Sequence, residues 1–144
     1  MGAPTENMLE MITCFDQPEK IEPMIEDFYA ANAVFQDPIQ KVEGREGIKS
    51  MFRSFAKLFK AVDTKLLSTI GDDKQQAVHW EMTFVYKSWP AAVTIKGVTW
   101  LEFNDTGQCV SHTDYWDLWA FFKRSLPFRQ TLANFPKRLK QLFS

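Results

Sequence analysis

Over roughly the first sixty positions the apolar residues recur at helical spacing, and beyond them they alternate with polar ones. Met8, Met11, Ile12 and Phe15 share one helical face, and Asp16-Gln17-Pro18 ends that run. Ile21, Met24, Ile25, Phe28 and Tyr29 repeat the pattern, with Pro23 near the start, where a missing N–H is tolerated. Ile48, Met51, Phe52, Phe55, Leu58 and Phe59 form the cleanest stripe, and Gly44 sets its entry. Between the second and third helices, Asn32 to Phe35 reads as a short apolar strand.

Residues 63–70, 75–87, 92–103 and 109–116 are rich in Val, Thr, Phe, Trp and Tyr and read as strands. Gly71-Asp72-Asp73, Trp89-Pro90 and Asn104-Asp105-Thr106-Gly107 separate them as turns. Long consecutive strands with short turns predict an antiparallel meander. Helices first and strands afterwards predict an α+β fold, a curved sheet wrapped around three N-terminal helices. Strand alternation then sorts the faces. Val78, Trp80, Met82 and Phe84 share an apolar face that the helices must cover. Val110, His112, Asp114 and Trp116 share one face of the last strand, and Cys109, Ser111, Thr113 and Tyr115 the other. If the first set lies under the helices, His112 and Asp114 are buried among aromatics and need partners.

Composition narrows the class. A chain of 144 residues fits one domain with a real core. Its net charge of −1 argues against a nucleic-acid binder. Cys14 and Cys109 show neither metal spacing nor a disulfide framework, which suits a reducing cytoplasm. No apolar run approaches the ~20 residues of a membrane span, and Met1 to Thr5 lack the pattern of a signal peptide. With 13 Phe and 5 Trp, the chain has the apolar area for a core, a subunit interface or a deep cavity. No metal or organic cofactor is implied.

Asp37 precedes Pro38, which forces it into an extended backbone at the end of a short apolar strand. Two readings stand: a carboxyl in apolar surroundings suited to proton transfer, or a cap for the following turn. His112 is of the residue type suited to acid–base chemistry at physiological pH. It is either an acid–base group with Asp114 beside it or a satisfied structural histidine.

The segment Tyr29-Ala30-Ala31-Asn32-Ala33-Val34-Phe35-Gln36-Asp37-Pro38, then Val42-Glu43-Gly44-Arg45-Glu46-Gly47-Ile48, then a meander ending in Asp114-Tyr115-Trp116-Asp117, resembles the nuclear transport factor 2-like superfamily. Within it, the SnoaL-like and ketosteroid isomerase-like branches are the nearest. The resemblance covers about residues 8–120. It implies a cone with an apolar pocket open at one end, and often a homodimer through the outer sheet face, where Trp100 and Val98 lie. In ketosteroid isomerases the aspartate matching Asp37 is the base that moves a proton next to a carbonyl. The oxyanion donors of that family do not carry over: their positions match roughly Thr99 and Met11. The Arg-x-Asp of limonene epoxide hydrolases is also missing, since the corresponding strand reads Trp80-Glu81-Met82. The catalytic candidates are Asp37, His112 and Asp114, with Trp80, Met82, Thr99, Trp116 and Phe55 as substrate-binding residues.

Two function classes follow. One is a cofactor-independent isomerase, cyclase or lyase working by acid–base proton transfer on an apolar, carbonyl-bearing molecule. The other is a non-catalytic ligand-binding or interaction module of the same fold. The domain reads as residues 1–117, with 118–144 as a helical extension. That extension holds no acid and six bases, so the rest of the chain carries −7 of the overall −1. Its many Phe and Leu residues predict docking onto the acidic body or its dimer partner; attraction to an anionic membrane is the alternative.

Overall fold

A computed structural model describes residues 4–88 and 92–124. Helices α1 (Pro4–Thr13) and α2 (Pro18–Phe28) are followed by strands β1 (Tyr29–Gln36) and β2 (Lys41–Glu43). Helix α3 (Arg45–Leu58) leads into β3 (Phe59–Gly71), β4 (Gln75–Tyr86), β5 (Ala92–Phe103) and β6 (Cys109–Trp116), and α4 (Leu118–Arg124) follows. The Trp89-Pro90 turn and most of the basic extension, residues 125–144, lie outside the described residues.

The fold is the expected α+β arrangement, with three helices on one face of a single sheet. The strand order is β2-β1-β6-β5-β4-β3. Every neighbouring pair is antiparallel except β1 and β6, which run parallel. The meander β3–β6 therefore matches the sequence reading, and the first strand joins its far side.

Three boundaries differ from the periodicity. Tyr29 and Phe59 continue helical stripes but begin strands, because each follows a helix whose last turn is closed by its own backbone N–H. α2 starts at Pro18, a first-turn position that suits proline, so Pro23 falls inside the helix rather than at its start. β2 is three residues long, too short for alternation to reveal.

The inner faces of β4 and β5 make the wall of the core. Val78, Trp80, Met82 and Phe84 are buried from β4, and Val93, Ile95, Thr99, Leu101 and Phe103 from β5. Gly97 stands opposite Trp80 in the register. A β-carbon there would sit 2.5 Å from the indole, so the missing side chain makes room for Trp80. The start of α3 is tethered to β1 by Gly44 N–H donating to Ala33 O at 2.8 Å. Gly44 itself has φ 82°, a left-handed conformation that glycine adopts without cost.

The alternation reading of β6 needs correction at its start. Cys109 was expected on the outer face, yet it is fully buried, and His112 three residues later is nearly so. A register shift between Glu102 and Phe103 on β5 sets Cys109 against Phe103 and Ser111 against Glu102. The extra residue on β6 reverses the faces, as a bulge does.

Candidate functional site

Between the helices and the sheet lies a cavity of about 590 Å³, within the range of small-molecule sites. α1 contributes Met8 and Met11, and α3 contributes Met51, Phe52 and Phe55. Asp37, Trp80, Met82, His112, Asp114 and Trp116 line it from the strands and the turn after β1. A run of rings frames one side: Trp116 and Phe121 have centroids 5.4 Å apart, and Phe121 meets Phe84 at 6.3 Å. Phe121 comes from α4, whose first turn is capped by Asp117 Oδ1 accepting from Ala120 N–H at 2.9 Å.

Five side chains from four strands form one hydrogen-bonded chain along this wall. Trp80 Nε1–H donates to Thr99 Oγ1 at 2.8 Å, and Thr99 Oγ1–H donates to Asp114 Oδ1 at 2.5 Å. Thr99 and Asp114 are register partners on β5 and β6, so their side chains leave the sheet side by side. His112 Nε2 lies 2.8 Å from the same Oδ1, and His112 Nδ1 lies 2.7 Å from Tyr29 Oη. Tyr29 is wholly buried and His112 nearly so. Burial pushes the Tyr29 phenol well above its ordinary value, with the negative charges that Cys109 and Asp114 can carry adding to the effect. The phenol thus stays protonated and donates to Nδ1. That leaves the imidazole proton on Nε2, which donates to Asp114. Every proton in the chain then has an acceptor, and the donors converge on Asp114 Oδ1. Asp114 Oδ2 accepts from none of the described residues, and its side chain retains 15% exposure along the cavity wall.

Both nitrogens of His112 are therefore occupied, one by Tyr29 and the other by Asp114. Asp37 sits elsewhere, half-buried at the rim. Its Oδ1 accepts from Ile39 N–H at 2.7 Å and Gln40 N–H at 2.9 Å, and its Oδ2 accepts from Gln40 Nε2 at 3.4 Å. This is the turn-capping geometry. The turn also carries the cavity contacts of Ile39 and Gln40.

The sequence pattern of the SnoaL-like domain matches residues 11–112, from within α1 to His112 on β6. The chain belongs to the SnoaL-like family. No curated protein matches this SnoaL-like chain. Solved structures share its fold at low identity. A ketosteroid isomerase-like protein of Catenulispora acidiphila DSM 44928, in complex with trimethylamine, is 15% identical with a TM-score of 0.69 over 83% of this chain and 92% of that one. An epoxide hydrolase of M. tuberculosis, similar to limonene epoxide hydrolases, is 14% identical with a TM-score of 0.69 over 90% and 92%. A candidate SnoaL-like polyketide cyclase of Jannaschia sp. CCS1 is 14% identical with a TM-score of 0.70 over 84% and 90%.

Of the site residues read from this SnoaL-like sequence, Asp37, His112, Asp114, Trp80, Met82, Trp116 and Phe55 share the one cavity. Thr99 does not line it. It is buried behind Trp80 and Asp114 because its hydroxyl bridges them. Tyr29 went unsingled in the sequence, where it read as the last residue of a helical stripe. The signal available was a polar tip on an otherwise apolar stripe. Arg45, part of the Gly-Arg-x-x-Ile motif, fixes the Tyr29 backbone: its Nε donates to Tyr29 O at 3.0 Å and its guanidinium pairs with Glu26 at 2.8 Å. Lys49, itself largely buried, joins the same carboxylate. This pairing draws Glu26 below its usual range. Among the described residues no cluster of His, Cys, Asp and Glu is placed to hold a metal ion.

Proposed function

We propose that this SnoaL-like protein admits one small, largely apolar molecule to its cavity and moves a proton on it, with Asp114 as the proton-transfer group. The carrying observation is the division of labour on that carboxylate: Oδ1 takes both hydrogen bonds from Thr99 and His112, and Oδ2 is left to the cavity. A carboxylate fixed by one oxygen presents the other in a defined direction, as proton transfer requires. Isomerisation, cyclisation or elimination next to a carbonyl are the reaction types that a lone carboxylate serves. Asp37 shapes the mouth, and His112 with Tyr29 and Thr99 positions Asp114.

A second reading, a binding protein without turnover, draws support from one feature. Tyr29 and Trp80, the strong donors deep in the cavity, already direct their protons to His112 and Thr99. Neither is free to stabilise an oxyanion. Native mass spectrometry of the purified protein, looking for a co-purified ligand, supplies the molecule. Incubating that ligand in D₂O then separates the readings. Exchange of a carbon-bound hydrogen, slowed at least ~100-fold by Asp114→Asn, supports catalysis. Exchange at the same rate in the variant rejects Asp114, and no exchange at all leaves a binding protein.

The outer sheet face supports a homodimer. Val98 and Tyr115 are register partners there, and Trp100 lies two residues along. All three are exposed, Tyr115 to 63%, and such an apolar patch on a sheet suits a self-complementary contact. Both cysteines are free and buried, which fits a reducing compartment. Among the described residues no helix is long and apolar enough to cross a membrane.

A further inference from the structure

We infer that the ligand of this cavity is an apolar organic cation, a protonated amine or iminium on a hydrophobic body. The inference rests on the reading of the cavity as a small-molecule site and specifies what that site accepts.

Charge comes first. The described lining contains two carboxylates, Asp37 and Asp114, and no lysine or arginine. The histidine in the lining has its proton committed to Asp114 and its other nitrogen to Tyr29. An anionic ligand would thus meet like charge in surroundings of low dielectric with no cationic side chain among the described lining residues to offset it, which costs more there than in water. A cation meets the opposite situation. Asp114 brings a negative charge into an apolar cavity, where an unpaired ion is costly, and Oδ2 is open to a charge-assisted donor.

The rings point the same way. Trp116 lies two residues beyond Asp114 on β6 and is stacked at a tilt on Phe121, while Tyr86 and Phe84 continue the wall. Trp80 also lines the cavity and is linked to Asp114 through Thr99. Ring faces close to a carboxylate form the environment in which alkylammonium groups bind best, because the ring quadrupole and the anion attract the same charge. Asp37 at the rim extends the negative potential to the entrance and favours entry of cations.

A cationic ligand also suits a cavity whose buried donors Tyr29 and Trp80 are committed to His112 and Thr99. Removing a proton from a cation needs no stabilised oxyanion, because the charge that develops is the loss of a positive one. Passing that proton to Asp114 Oδ2 converts an ion pair into a neutral carboxylic acid and a neutral amine or enamine. An apolar cavity favours that conversion more than water does. Where the cation is a β,γ-unsaturated iminium and the proton leaves its α-carbon, the neutral product is a dienamine, and return of the proton to the γ-carbon regenerates the carboxylate and completes an isomerisation.

Three probes with one hydrophobic body test this: 3-phenylpropylammonium, 3-phenylpropan-1-ol and 3-phenylpropionate. Each is titrated calorimetrically into the full-length protein in salt of about 0.15 M, which screens the acidic surface beyond roughly 8 Å. The cation is expected to bind at least ~10-fold tighter than the alcohol, and the carboxylate more weakly than either. Asp114→Asn keeps an acceptor for Thr99 and His112 and is expected to bring the cation within about threefold of the alcohol. Equal affinities, a preference for 3-phenylpropionate, or a cation preference that survives in Asp114→Asn overturns the inference while leaving the cavity reading in place. If none of the probes binds, the cavity reading falls with it. Where Asp114→Asn does not fold, the ranking of the three probes on the wild-type protein decides.

Discussion

Tyr29 Oη and His112 Nδ1 stand 2.7 Å apart, although the residues are separated by 83 positions in the chain. The bond exists because β1 and β6 are parallel neighbours, pairing Tyr29 with Cys109 at one end and Phe35 with His112 further on. Tyr29→Phe keeps the ring and removes the donor, leaving Nδ1 of a buried imidazole unpaired. A loss of about 1–3 kcal/mol is expected in urea unfolding, the penalty for a buried unsatisfied group. The His112 ¹⁵N resonances should also move, reporting a change at Nδ1. A variant with unaltered stability and resonances would show that the phenol does not hold the tautomer.

The two carboxylates of the cavity should separate in function. Asp37→Asn keeps an acceptor for the N–H groups of Ile39 and Gln40 and should change turnover of an identified substrate by less than about tenfold. Asp114→Asn should lower it at least ~100-fold, the low end of a proton-transfer contribution. The reverse ranking in steady-state kinetics would move the chemistry to the rim.

Gly97→Ala is the sharpest packing test. The added carbon would meet the Trp80 indole at 2.5 Å and the Tyr115 carbonyl at 2.9 Å, in a wall with no slack. Overpacking of this kind costs about 1–3 kcal/mol. Displacing Trp80 should also break its bond to Thr99, visible as a shifted indole N–H resonance.

Stability should fall on the alkaline side. Burial pushes the Cys109 thiol from 9.0 up to about 12, and Tyr29 is raised as well. A raised value means the folded state keeps a proton that the unfolded chain loses. The contribution is therefore complete below pH 9.0 and declines as pH climbs toward 12. Each such group removes about 1.4 kcal/mol per pH unit within its window. Cys109→Ala should flatten the decline that begins near pH 9.0, measured by urea midpoints across pH. An unchanged slope would place the effect elsewhere.

Trp100→Glu on the outer sheet face should yield monomers if that face joins two copies. Light scattering after size exclusion reads the mass directly. A wild-type protein that is already monomeric would remove the dimer reading.

Amphipathic stripes and strict alternation made α1–α3 and the meander legible in the sequence, because those elements bury one face over many residues. Asp114 and His112 stood out for the same reason, as polar groups on a face that had to be covered. What stayed hidden depends on pairings between distant segments. Nothing local marks Tyr29 as the donor to His112, because its pairing with β6 is set by the parallel strand. The bulge that turns Cys109 inward arises from the register with β5. Thr99 read as a ligand contact because it matches a pocket position of the resembled family, and such a match gives a side and not a depth. The capping role of Asp37 was legible from the proline after it; its place at the mouth required the fold.

The strand order also dictates when the site can come into being. β3, β4 and β5 each pair with the strand next to them in sequence, so they can zip together over short loops. β1 has to wait for β6, and closing so long a stretch of chain is the costlier search. During synthesis the protein would therefore carry Tyr29 for most of its growth without the imidazole that occupies it. The Asp114 carboxylate would arrive in one of the last strands to be laid down. Refolding followed through Trp80 and through His112 should then give two rates, the indole settling first and the imidazole with the slower closure of the sheet's far side.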